Sequence, residues 1–145
     1  MDMKRIFATF GFLAFILLAA NTASAQCGAS DMADNCITQM SDGFNFVKSF
    51  PIDGDKGARN KIEYSYVFAK GTEYAINICT GSESPDGIIV SLYDSNRRQV
   101  TTNQANGKLF KGVVYNCNST GIYYITFTFK ESTEHCGGSV LGFRR

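Results

Sequence analysis

From residue 62 to residue 129, apolar and polar positions alternate in short runs, each closed by turn residues. Ile62, Tyr64, Tyr66 and Phe68 share one face of an extended run, Lys70-Gly71 supplies a turn, and Tyr74, Ile76 and Ile78 resume the period of two. Two strands paired through a tight turn are predicted. The segment 80–87, rich in Gly, Ser, Pro and Asp, leads into a strand over 88–93, which Asp94-Ser95-Asn96 turns back into 98–102. Residues 109–117 and 122–130 form a further predicted pair joined by Asn118-Ser119-Thr120-Gly121, and 139–143 supply a last strand. About eight strands with no helical pattern between them select an all-β antiparallel sandwich of jelly-roll type over a parallel βαβ fold. The predicted core is Phe68, Ile76, Ile78, Val90, Leu92, Val114, Ile125, Phe127 and Leu141.

Upstream, the period changes. Ala29, Met32, Ala33, Cys36, Ile37 and Met40 fall on one helical face, with Ser30 or Asp31 placed to cap the first turn. Ser41-Asp42-Gly43 ends that helix, and Phe44, Phe46 and Phe50 then share one face of an edge or entry strand with Lys48. Residues 53–60 have the composition of a solvated loop. Asp53 and Asp55 invite a calcium reading, but an EF-hand needs Gly and Glu where this chain has Ala58 and Tyr64.

The first 25 residues read as an export signal: Lys4 and Arg5, an apolar run over 6–20, then Ala23-Ser24-Ala25 before Gln26. That run of about 15 residues falls short of the roughly 20 that span a bilayer, so no permanent membrane span is expected. Gln26 before Cys27 does not suit lipoprotein cleavage. The expected organisation is a signal over 1–25, a helical segment over 26–43 and the sandwich over 44–145, in a secreted or periplasmic protein. Cleavage would remove Lys4, Arg5 and Asp2, leaving 12 basic and 12 acidic side chains. A neutral chain without a basic cluster lacks the electrostatic footprint of nucleic-acid binding.

Cys27, Cys36, Cys79, Cys117 and Cys136 all lie beyond the cleavage point, where an oxidising compartment permits disulfides. None of their spacings is the Cys-x-x-Cys of a zinc knuckle or redox pair, so structural disulfides are expected, with one thiol left over. Cys36 lies on the apolar helix stripe and reads equally as a buried core residue or a disulfide partner. Cys79 with Cys117 is the favoured pair, both being strand-terminal and closing a long loop, and Cys117 with Cys136 is its rival.

Three stretches resemble a known family. Tyr66-Val67-Phe68-Ala69-Lys70-Gly71-Thr72-Glu73-Tyr74-Ala75-Ile76-Asn77-Ile78-Cys79, Ile89-Val90-Ser91-Leu92-Tyr93-Asp94-Ser95-Asn96 and Gly121-Ile122-Tyr123-Tyr124-Ile125 follow the motif order of bacterial pre-peptidase C-terminal (PPC) domains. The likeness spans about 65 residues and rests on strand and turn chemistry. It implies a sandwich related to galactose-binding jelly rolls and a non-catalytic role. The five cysteines and the N-terminal helix depart from the family pattern, no peptidase precedes the domain, and no family site residue transfers.

No catalytic constellation stands out. His135 and Cys136 are adjacent, so in extended chain their side chains diverge. No Ser carries the glycines of a nucleophile elbow. Glu63 with Glu73, and Glu131 with Glu134, lack a setting that would split their pKa values. For a metal, Glu83 and Asp86 in one loop are weak calcium candidates, and Asp94 and Asn96 lie a strand away. Among aromatic platforms for a sugar, Tyr64, Tyr66 and Tyr74 sit in apolar rows, leaving Tyr93 and Tyr123 as candidates for a ligand surface. The Asn118-Ser119-Thr120 sequon matters only in a eukaryotic host. The expectation is a non-enzymatic exported sandwich, without a cofactor, that binds a protein or polysaccharide at the cell envelope; structural or secretion-assisting roles, or a small hydrolase, are the alternatives.

Overall fold

The computed structural model describes residues 27–145, so the expected export signal over 1–25 lies outside the described residues. A short helix α1 (Ala29–Asn35) and a 3₁₀ turn (Cys36–Gln39) precede ten strands. These are β1 (Asn45–Asp53), β2 (Lys61–Phe68), β3 (Glu73–Cys79), β4 (Ile88–Tyr93), β5 (Gln99–Thr102), β6 (Gln104–Ala105), β7 (Lys108–Leu109), β8 (Gly112–Asn116), β9 (Gly121–Phe129) and β10 (Cys136–Arg144). One sheet has the order β1-β10-β3-β8 and the other β2-β9-β4-β5, while β6 and β7 form a small ribbon. All pairings are antiparallel, and the chain is an all-β sandwich. Among the described residues no helix is long and apolar enough to cross a membrane.

The core between the sheets contains Phe50, Phe68, Ile76, Ile78, Val90, Leu92, Ile125, Phe127 and Leu141. Val114 is the exception to the predicted list, 47% exposed on β8, where its neighbours Val113 and Tyr115 pack inward instead. Adjacent valines give the period of two no preferred phase, and a one-residue slip exchanges the faces. Phe46, 44% exposed, likewise fails to share a face with buried Phe50, because a register shift between Phe46 and Lys48 breaks the alternation.

Strand pairing corrects two expected hairpins. β2 does not pair with β3, nor β8 with β9; each link carries the chain from one sheet to the other. The two links lie side by side and bond to each other: Gly71 N donates to Cys117 O at 2.8 Å, Cys117 N to Thr72 O at 3.0 Å, and Lys70 N to Thr120 Oγ1 at 2.9 Å. Alternation could not reveal this. An apolar face points at the core whether consecutive strands are neighbours in one sheet or opposed across the sandwich.

The disulfides are Cys27–Cys136 and Cys36–Cys79, with Cα separations of 5.7 and 5.6 Å, and Cys117 is free and buried. The favoured Cys79–Cys117 pair is therefore wrong. Asn116 pairs with Glu73 at the start of β3, whereas Cys79 ends that seven-residue strand. The two cysteines sit about 20 Å apart, far beyond bonding reach. The rival Cys117–Cys136 fails for the same reason, since Cys136 begins β10 at the Cys79 end.

Both disulfides fix the N-terminal segment as a third layer on the outer face of the first sheet. Cys36, Cys79, Val140 and Met40 pack together there. Gly138 makes the close approach possible, because a Cβ at that position would lie 2.2 Å from Ala33 N. The helix starts at Gly28 without any side-chain cap, so neither Ser30 nor Asp31 performs the expected capping, although Asp31 lies in the first turn.

Candidate functional site

The uncovered outer face of the second sheet carries the most organised exposed surface. Odd-numbered positions of β2 and even-numbered positions of β9 point away from the core and pair across the strands: Glu63 with Thr126, Ser65 with Tyr124, Val67 with Ile122. Tyr93 of β4 continues the Tyr124 row. Val67 is 60% exposed and its partner Ile122 48%, which makes an apolar pair in open solvent.

A polar lock adjoins that pair. Asp94 organises the turn after β4 by accepting from Asn96 N at 2.9 Å, Arg98 N at 3.0 Å and Arg98 Nε at 3.1 Å. Arg97, at φ +62°, is thereby directed back over the sheet. Its guanidinium carbon lies 3.5 Å from the centre of the Tyr124 ring. Its Nη1 donates to both carboxylate oxygens of Glu63 at 2.9 Å. Glu63 also accepts from Thr126 Oγ1 at 3.2 Å and pairs with Lys61 Nζ at 3.3 Å. Partial burial works against the Glu63 charge, but Arg97 and Lys61 outweigh it and hold the carboxyl below its ordinary range. The result is a plate of apolar, aromatic and guanidinium groups in which Arg97 is tied to Glu63 and stacked on Tyr124.

Of the two tyrosines expected on a ligand surface, Tyr93 lies half-buried on this face, whereas Tyr123 is only 2% exposed and belongs to the core. Tyr123 stacks on Phe68 at 4.8 Å and donates its hydroxyl to Ser119 O at 2.9 Å, an arrangement like a tyrosine corner. Burial, aided by hydrogen bonds with Tyr115 and Cys117, raises its pKa. In a Tyr-Tyr pair on one strand only one ring can face out, and it is Tyr124. Arg97, which holds that ring, gave no sequence signal because its partners Glu63 and Tyr124 are remote in the chain.

The acidic loop residues serve the fold. Asp86 accepts from Thr133 N at 3.0 Å on one oxygen, and from Ser132 Oγ at 2.9 Å and Glu134 N at 3.0 Å on the other. Glu83 is exposed in the same loop, and among the described residues no three His, Cys, Asp or Glu side chains are grouped to hold a metal ion. A cleft of about 730 Å³ lies beside this clamp, lined by Met32, Lys56, Ser82, Glu134 and the Cys27–Cys136 bridge. His135 packs its ring on Phe129 at 5.1 Å, and its neighbour Cys136 is bonded to Cys27, so no thiol–imidazole pair exists here. Glu73 is engaged by Arg144.

Desolvation alone would raise the Asp86 pKa, but the donors from residues 132–134 prevail and lower it. A depressed folded-state pKa adds stability above the unfolded value that is lost as pH falls through the folded one. The gap in urea midpoint between the protein and Asp86→Asn is therefore expected to be full at pH 7 and to close as the pH falls below the ordinary carboxylate range and through the lowered Asp86 pKa. A gap independent of pH would show that the carboxylate charge is not what holds the loop.

No protein-family model matches the chain, and no curated protein matches it. Among solved structures it is similar to PliG, a periplasmic inhibitor of g-type lysozyme from Aeromonas hydrophila. Sequence identity is 15%, the match covers 73% of this chain and 92% of that chain, and the TM-score is 0.44.

Proposed function

We propose that this chain is an exported, non-enzymatic binding protein that recognises a protein partner at the cell envelope through the outer face of β2, β9 and β4. The observation that carries this is the exposed Val67–Ile122 pair set beside the locked Arg97–Tyr124 stack. Exposed apolar patches flanked by Tyr and Arg mark protein contacts. A protein is favoured over a polysaccharide because Arg97 occupies a face of the Tyr124 ring and Tyr123 is interior, which leaves the half-buried Tyr93 as the remaining one of the two expected platforms. Two disulfides fit an oxidising compartment. The resemblance to PPC domains agrees with a non-catalytic role.

The test uses the mature protein, immobilised and presented with envelope extract, a glycan array and a hydrolase panel. A retained protein is expected whose affinity drops about 30-fold or more in Val67→Asp/Ile122→Lys, the scale of a binding hot spot. The thermal transition should stay unchanged, since both side chains are exposed. Equal retention by the variant, glycan binding alone, or turnover that disappears with one carboxylate would each overturn the reading.

A further inference from the structure

Sheet edges expose unpaired backbone groups, and proteins blunt them with proline, bulges, short strands or a covering segment. Three of the four edges of the two four-stranded sheets are treated so. β1 contains Pro51 and the irregularity between Phe46 and Lys48. β8 has five residues and opens with Gly112. β5 has four residues, meets a register shift on β4, and runs into the β6–β7 ribbon, which Asn103 pins by donating to Ile88 O at 3.1 Å and Phe110 O at 2.8 Å. β2 is different. Its eight residues pair with β9 without a break, contain neither Pro nor Gly, and after Glu63 carry no charge. A groove of about 450 Å³ lined by Ser65, Tyr66, Val67 and Ile122 follows that uncharged half. Ser65, Val67 and Ile122 face outward, so the groove lies on the outer face along the uncharged half of this edge strand.

The geometry points to a second copy of this chain as the occupant, with β2 adding antiparallel to β2 of the other copy to join two four-stranded sheets. The register is selected by the side chains. Pairings that oppose an odd residue to an even one would turn one molecule's core face outward and are excluded. A two-fold axis at Glu63 sets Glu63 against itself, and axes at Tyr64 or Ser65 press Lys61 or Glu63 against the apolar Val67 of the other copy. An axis at Val67 leaves only three residues of each β2 paired. With the axis at Tyr66, residues 64–68 pair entirely among themselves: Tyr64 meets Phe68, Ser65 meets Val67, Tyr66 meets Tyr66, and both charges lie outside. The expected neutrality of the mature chain removes long-range repulsion between copies. Five residues per strand make a small interface, of the class found in weak and transient contacts.

A two-fold axis perpendicular to an antiparallel sheet keeps both outer faces on one side. The two Val67–Ile122 pairs and Arg97–Tyr124 stacks then form one continuous surface, so dimerisation presents the proposed recognition face twice. The edge argument itself does not depend on that reading.

Sedimentation of the mature protein from about 10 µM to 1 mM tests it. The average mass should climb toward twice that of the monomer, and Val67→Lys, at an exposed position, should weaken association tenfold or more. The register is tested by oxidation: a mixture of Ser65→Cys and Val67→Cys proteins should cross-link faster than either alone, while buried Cys117 stays out of reach. A monomer at 1 mM, association unchanged by Val67→Lys, or a mixture no faster than the single variants overturns the dimer. No partner is needed for these measurements, so their failure leaves the recognition reading standing, and loss of recognition in its own test leaves the dimer standing.

Discussion

Removal of both disulfides, by Cys27→Ser/Cys136→Ser combined with Cys36→Ser/Cys79→Ser, is expected to leave a chain that does not fold at 37 °C. The bridges close loops with sequence separations of 109 and 43 residues. In the chain-entropy model these contribute about 4.8 and 4 kcal/mol. Their sum approaches the whole stability of a typical small domain, about 5 to 15 kcal/mol. Each double variant alone should fold with a lowered urea midpoint. The consequences differ in place: without Cys27–Cys136 the chain start is freed from β10, and without Cys36–Cys79 the helical layer loses its covalent tie to β3. Peptide mapping of the unreduced, alkylated protein checks the pairing first. The Cys117 peptide should take up label only after denaturation, and a Cys117 peptide found joined to any other cysteine would refute the assignment.

The cysteine pattern also shows where the sequence stopped being informative. The strands were legible because each side chain's face is a local property with a period of two, and Leu92, Phe127 and Leu141 lie where that period puts them. Which strands pair is a property of the whole sheet. The links over 69–72 and 117–120 carry the same turn residues whether they close hairpins or cross the sandwich, so Cys79 and Cys117 looked like neighbours and are not. The same limit hid the candidate site. Arg97 meets Glu63 and Tyr124 only once β2, β9 and β4 stand in one sheet, whereas the interior place of Tyr123 was legible, since it shares the period-two face of Ile125 and Phe127.

Phe68 is the side chain whose truncation should cost most. It is fully buried at the end of β2, stacked between Tyr74 at 3.8 Å and Tyr123 at 4.8 Å, with Tyr66 edge-on at 6.3 Å. Those two stacked tyrosines secure the two crossovers: the Tyr74 hydroxyl accepts from Ala69 N at 3.0 Å beside the first, and the Tyr123 hydroxyl donates to Ser119 O at 2.9 Å in the second. Losing the ring opens a cavity and frees both tyrosines at once. Phe68→Ala should therefore cost about 3 to 5 kcal/mol. Tyr123→Phe, which keeps the stack and removes one hydroxyl, should cost only about 1 kcal/mol. Urea unfolding of both variants separates packing from hydrogen bonding. If Phe68→Ala lost no more than Tyr123→Phe, the crossovers would be held by their backbone bonds, and the aromatic stack would be filling rather than joining the sheets.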